Sequence, residues 1–242
     1  MYADSANSSI TPIMFTGLAT FVFDFVVRQK MGGLNLSFYL VSQFPVIEPR
    51  AYNIPTLWQN SQILASEWFF PRTLELNYTA WDMAPFAEDF GWFGPPFFWD
   101  EERRFLLLCE LDAAFFHLYL PAEKNGQWQP AEKESAEDMA RLKAAFPTPR
   151  HALDYILDTF PIVRRKDEAK YDGDYRTKRV ILEIYDVMQQ AMRTGQPYQT
   201  RLDPPPGPPA DAQGNFIQPA DWTPEIRAKY NGIIHPPKEK TG

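Results

Sequence analysis

Apolar positions along this chain recur mostly at three-and-four spacing, the signature of helices with one buried face. Residues 13–30 carry such a face through Phe15, Leu18, Ala19, Val22, Phe25 and Val26, and Gly32-Gly33 supplies the stop. A second, short helix is predicted from Asn35, a good capping residue, through Phe38, Tyr39 and Leu40. Pro45 forbids helix and biases Phe44 toward extended backbone, so residues 44–47 read as a short extended segment. Helical spacing returns over residues 59–78, with Pro71 expected to kink or split the element. Asp100 is a clean N-cap, and Glu101 and Glu102 complement the dipole of the helix that follows. That helix, to about Tyr119, is apolar on most sides and is predicted to be central and buried. Residues 131–146 form a charged helix broken at Pro147 and Pro149, and residues 151–160 form a short one. The most amphipathic helix follows. Val180, Ile181, Ile184, Val187, Met188, Ala191 and Met192 share one face, Gly195 stops it, and Pro197 lies just beyond. No alternation of strands with helices is visible, so the fold class is mainly α.

Two stretches escape this periodicity. Residues 81–99 form a loop dense in rings, Gly and Pro, ending Trp92-Phe-Gly-Pro-Pro-Phe-Phe-Trp99. Rings at this density can stack on unpaired bases. Folding back to seal the core is the preferred reading, because exposed ring clusters favour aggregation. After Gln196 the chain turns proline-rich, with Pro204-Pro-Pro-Gly-Pro-Pro209 at its centre. Such a tail cannot build a core and is expected to be extended, lying on the globular part or mobile, and dispensable for folding. Trp222, Ile226 and Tyr230 are its candidate anchors.

Composition narrows the picture. A chain of 242 residues with 45% hydrophobic and 15% aromatic content can bury a real core. Its single cysteine, Cys109, excludes an internal disulfide and fits a reducing cytoplasm. The most apolar run, residues 15–27, is interrupted by Asp24 and too short to span a membrane. The formal net charge of -7 argues against coating nucleic acid non-specifically, yet residues 164–179 reverse the sign. There Arg164, Arg165, Lys166, Lys170, Arg176, Lys178 and Arg179 stand against Asp167, Glu168, Asp172 and Asp174, seven cations to four acids. The spacing reads as a basic loop ahead of the amphipathic helix. It is either a solvated, self-paired charge run or a phosphate-contacting surface.

Catalytic signals are thin. Asp158, Glu168 and Lys170 make a loose nuclease-like set, but on a helix end and a loop, not on adjacent strands around a metal. His117, His151 and His235 are scattered, and His117 on its apolar helix reads as a packed core histidine. No nucleophile is paired with a base in any recognisable pattern.

The order of motifs carries a resemblance. Tyr155-Ile-Leu-Asp-Thr-Phe-Pro161, the Arg-Arg-Lys run and Tyr175-Arg-Thr-Lys-Arg179 before a helix resemble the C-terminal end of Eco57I-like adenine-specific DNA methyltransferases. That family includes type IIG restriction-modification enzymes and related phage-defence proteins. Phe25-Val-Val-Arg-Gln-Lys-Met-Gly-Gly33 with Gln43-Phe-Pro-Val46 is similar to the close of the family's target-recognition region. Leu74-Glu-Leu-Asn-Tyr-Thr-Ala-Trp-Asp82 and Leu111-Asp-Ala-Ala-Phe-Phe-His-Leu-Tyr119 extend the likeness over about residues 15–205. It implies three segments: a recognition-like end at 1–52, a helical domain at 53–196 and the tail at 197–242. Double-stranded DNA and methyltransferase or other defence-system subunits are the implied partners. Arg28, Lys30, Arg164, Arg165, Lys166, Arg176, Lys178 and Arg179 are the implied DNA contacts. The Gly-rich S-adenosylmethionine loop and the Asn-Pro-Pro-Tyr motif are absent, since Gly94-Pro-Pro96 lacks the flanking Asn and Tyr. Catalysis and its S-adenosylmethionine are therefore expected in a partner, with no cofactor in this chain. The alternative is an adaptor within a defence complex that touches protein and not DNA.

Overall fold

The computed structural model describes residues 10–33, 36–59, 62–130 and 135–230. Within these, eleven α-helices follow one another and no strand forms. They are α1 (Ile10–Leu18), α2 (Phe21–Lys30), α3 (Phe38–Val41), α4 (Ala65–Asn77), α5 (Ala84–Asp89), α6 (Glu101–Tyr119), α7 (Ala136–Ala145), α8 (Pro149–Asp158), α9 (Pro161–Lys170), α10 (Arg176–Thr194) and α11 (Pro224–Tyr230). The fold is mainly α, as the periodicity predicts.

The centre is α6 against α10, with α4, α2 and α8 around them. The cap of α6 is the expected one: the Asp100 carboxylate accepts from the Arg103 N–H at 2.7 Å. Leu107, Leu111, Ala114, Phe115 and Phe116 are fully enclosed, and from α10 Ile181, Ile184 and Met188 meet them. Gly195 ends α10 in the left-handed conformation, at φ +71, its N–H on the Ala191 carbonyl. One continuous core includes Ile10, Tyr52, Leu182, Tyr198 and Leu202, so residues from all three expected segments contribute to it. No single helix is long and apolar enough to cross a membrane.

Several elements differ from the sequence reading. The helix expected over 13–30 is two, bent by 61° between α1 and α2. Thr20 turns its hydroxyl back to the Gly17 carbonyl at 2.7 Å, and the Asp112 carboxylate takes the Phe21 N–H at 2.8 Å. A buried acid 91 positions away thus supplies the cap that starts α2. Gly17 permits the close approach, since a Cβ there would lie 2.7 Å from the Phe115 ring. Ser37, not Asn35, caps α3; Asn35 lies outside the described residues. Residues 45–48 are irregular, and the Val46 N–H closes a tight turn onto the Phe44 carbonyl. The helix expected at 59–78 begins only at Ala65 and runs through Pro71 unbroken. The charged helix is α7, capped by Ser135, and residues 131–134 lie outside the description.

The aromatic stretch is not all loop. It holds α5 and folds back as the sealing reading requires, with Trp92 and Phe97 buried in a second small core beside Leu74, Tyr78 and Phe90. Phe93, Phe98 and Trp99 remain exposed. His117 is the core histidine expected, stacked on Tyr185 at 3.9 Å, with its pKa lowered to about 4 by burial. The described part of the tail lies on the globular part, the first of its two expected states. Pro204, Gly207, Pro208 and Pro209 are buried, and Tyr230 returns to the core at the end of α11.

Candidate nucleic-acid interface

The basic stretch is not a loop. Arg164, Arg165 and Lys166 lie on α9, and Arg176, Lys178 and Arg179 form the first turn of α10. Charge density hides the helix from a periodicity reading. Pro161 opens α9 at a position where its missing N–H is no loss. Val163 packs on the core, and the Asp167 carboxylate accepts from the Thr177 N–H at 2.6 Å, tying α9 to the start of α10.

The eight candidate cations separate into two groups. Three are held by acids that lie outside their own helix. Arg176 is half-buried, forks onto Glu102 and lies over the Phe105 and Tyr171 rings. Its guanidinium holds the Glu102 carboxyl below the ordinary range. The Lys178 ammonium sits 2.8 Å from Asp158 and 3.1 Å from Asp154, two acids one turn apart on α8. Arg179 bridges Asp174 at 2.7 Å and Glu183 at 2.9 Å, and its contact pulls the Asp174 carboxyl down. Arg150 doubly bonds Asp186 at 3.1 Å, and Arg201 takes the second oxygen of Glu183 at 2.9 Å. Around the cleft of about 350 Å³ lined by Arg150, Asp174, Lys178, Arg179, Glu183 and Asp186, every cation already has a carboxylate.

The other five lie elsewhere. Arg28 rests its guanidinium 4.9 Å over the Phe160 ring, the residue from which α9 starts, while pairing with Asp24 at 2.7 Å on its own helix. Phe160 is buried and meets Phe21 edge-on at 4.8 Å. Phe160 is thus met by both Phe21 and Arg28 of α2, and it is the residue ahead of α9, which carries Arg164 and Arg165. Stretches more than 130 positions apart in sequence meet at one corner. Arg164 pairs with Glu168 at 2.7 Å. Arg165, Lys166 and Lys30 are exposed and make no salt bridge among the described residues. Tyr155 on α8 and Ile162 on α9 are exposed, and Tyr155 meets Phe25 of α2 edge-on at 6.3 Å.

No family model, curated protein or solved structure matches this chain.

The structure also shows charged groups that the sequence reading passed over. Arg72 and Glu110 form a buried pair at 2.8 Å, with the Tyr198 hydroxyl donating to Glu110 at 2.7 Å. Arg72 lies 3.5 Å over the Trp68 ring. Arg103 and Glu75 make a second buried pair. The available signal was ionisable residues inside otherwise apolar runs, such as Arg72 and Glu75 among Phe69, Phe70, Leu74 and Leu76. Among the described residues, nine of the seventeen exposed large apolar side chains, Phe38 and Tyr39 foremost, fall within residues 15–57. That concentration sets residues 15–57 apart from the rest of the described chain. Among the described residues no group of His, Cys, Asp and Glu could hold a metal ion.

Proposed function

We propose that this chain is a DNA-recognition and assembly module of a DNA methyltransferase system of the restriction-modification or phage-defence kind, with methyl transfer performed by a partner. The observation that carries the reading is the corner where α2 meets α9. Arg28 reaches over Phe160 there, and the two helices also carry the exposed cations Lys30, Arg165 and Lys166, which make no salt bridge among the described residues, while Arg28 and Arg164 pair with acids of their own helices. Cations unclaimed by acids can neutralise phosphates at once, whereas paired ones must first break a bond. The motif resemblance over residues 15–205 supports the same reading. Arg176, Lys178 and Arg179 then act in the fold, supporting α10, and not on DNA directly.

A second reading, an adaptor that touches protein only, is favoured by the apolar N-terminal surface. Its occupant would be a methyltransferase subunit docking on Phe15, Phe38, Tyr39 and Ile54. Fluorescence anisotropy with a labelled duplex at low salt separates the two. The DNA reading expects saturable binding, lost when Lys30, Arg165 and Lys166 are changed to alanine. Absent duplex binding, together with partner capture that disappears on Phe38→Ser and Tyr39→Ser, supports the adaptor.

A further inference from the structure

The tail meets the helices through a polar arrangement. Segment 204–209 contains five prolines and one glycine, so only Gly207 offers a backbone N–H. That single donor goes to Glu75 Oε2 at 2.9 Å. The carbonyls of Pro204 and Pro205 accept from Arg103 Nη1 at 2.8 Å and Nη2 at 3.3 Å. Arg103 and Glu75 also bind one another, so the pair reads the segment as donor and acceptor together. Gly207 has φ +84, and a Cβ there would lie 2.6 Å from the Pro71 Cβ. Both ends of the segment are tied. The Ile217 N–H donates to the Pro209 carbonyl at 2.8 Å, and Lys229 pairs with Asp203 at 2.9 Å.

We propose that the seam between α4 and α6 is a polyproline-binding seat that the chain fills with its own residues 204–209. A run of prolines has no N–H of its own to pair, which leaves its carbonyls free to be read. Here the reader is a guanidinium–carboxylate pair, and specificity comes from the one N–H and from the missing side chain at Gly207. When the segment lifts, Glu75 and Arg103 still satisfy one another and meet water. The seat therefore exchanges its occupant reversibly, and the ligand it fits is a Pro-Pro-Pro-Gly segment presented by another molecule in competition with the tail.

The test uses the full chain and a labelled peptide copying residues 202–210. In wild type the tethered tail holds the seat at high effective concentration, so the peptide binds weakly. Gly207→Val in the chain removes the competitor but leaves the seat. Peptide affinity then rises at least about ten-fold, and a peptide carrying the same change binds neither protein. Equal affinity of the wild-type peptide for both chains, or capture of the altered peptide, overturns the proposal. If the Gly207→Val chain does not fold, hydrogen exchange at the Gly207 amide of wild type decides. Exchange is expected to be slowed at least about 100-fold against the free peptide, and accelerated by excess peptide. An amide as fast as in the free peptide, or one indifferent to added peptide, overturns it.

Discussion

Two basic clusters stand a few turns apart and differ in what faces them. On α10, Arg176, Lys178 and Arg179 meet Glu102, Asp154, Asp158, Asp174 and Glu183, and the charges close on themselves. On α2 and α9, Lys30, Arg165 and Lys166 are exposed and make no salt bridge among the described residues. The residue types are the same, yet one cluster is part of the fold and the other is free to meet an anion. Charge counted along a sequence therefore overstates a binding surface, and the geometry of the acids corrects it. The chain's net charge of -7 sharpens this point, because a duplex is repelled wherever no unpaired cation faces it.

Stability measurements grade the same comparison, from charges held deepest to charges held not at all. Arg103→Ala leaves Glu75 buried without its cation and the Pro204 carbonyl without its donor. A loss of about 3–5 kcal/mol is expected in denaturant unfolding. Next comes Asp112, whose pKa burial raises to about 7 although the Phe21 N–H opposes the shift. Between about pH 4 and pH 7 the folded chain keeps a proton there that the unfolded chain has released. Stability must therefore fall as pH rises through that window and level off above it. Asp112→Asn keeps an acceptor for Phe21 but cannot ionise. Its melting temperature should exceed that of wild type at pH 8 by roughly 2–5 °C, with the gap closing at pH 5. Lys178→Ala removes a mostly covered cation from two acids and should lower stability by about 1 kcal/mol. The smallest effect belongs to the corner. Arg165→Ala with Lys166→Ala should change stability by less than about 0.5 kcal/mol, read by thermal melting.

Much of the framework was legible in the sequence, and the failures share a cause. Asp100 and Gly195 bound their helices because caps and stops are local chemistry. His117 read correctly because an apolar helix surrounds it. Helix α9 did not, because its turns carry Arg164, Arg165, Lys166, Asp167 and Glu168, and what fixes it is a bond from Asp167 to Thr177. The break at Thr20 depends on Asp112, and the seated tail depends on Glu75 and Arg103, all distant in sequence. The candidate site divides the same way. Its residues were visible as types, but their sorting into paired and unpaired required Asp154, Asp158 and Phe160 to be placed.

The central claim is that the α2–α9 corner, and not the α10 cluster, meets DNA. The direct measurement is the salt dependence of duplex affinity for wild type, the Lys30→Ala/Arg165→Ala/Lys166→Ala variant, and Arg179→Ala. Each phosphate contact contributes about -0.9 to the slope of log affinity against log salt. The corner variant should bind weakly, with a slope flatter by up to about 2.7. Arg179→Ala should keep the wild-type slope. A corner variant with wild-type affinity and slope, beside an Arg179→Ala protein that has lost both, would contradict the account.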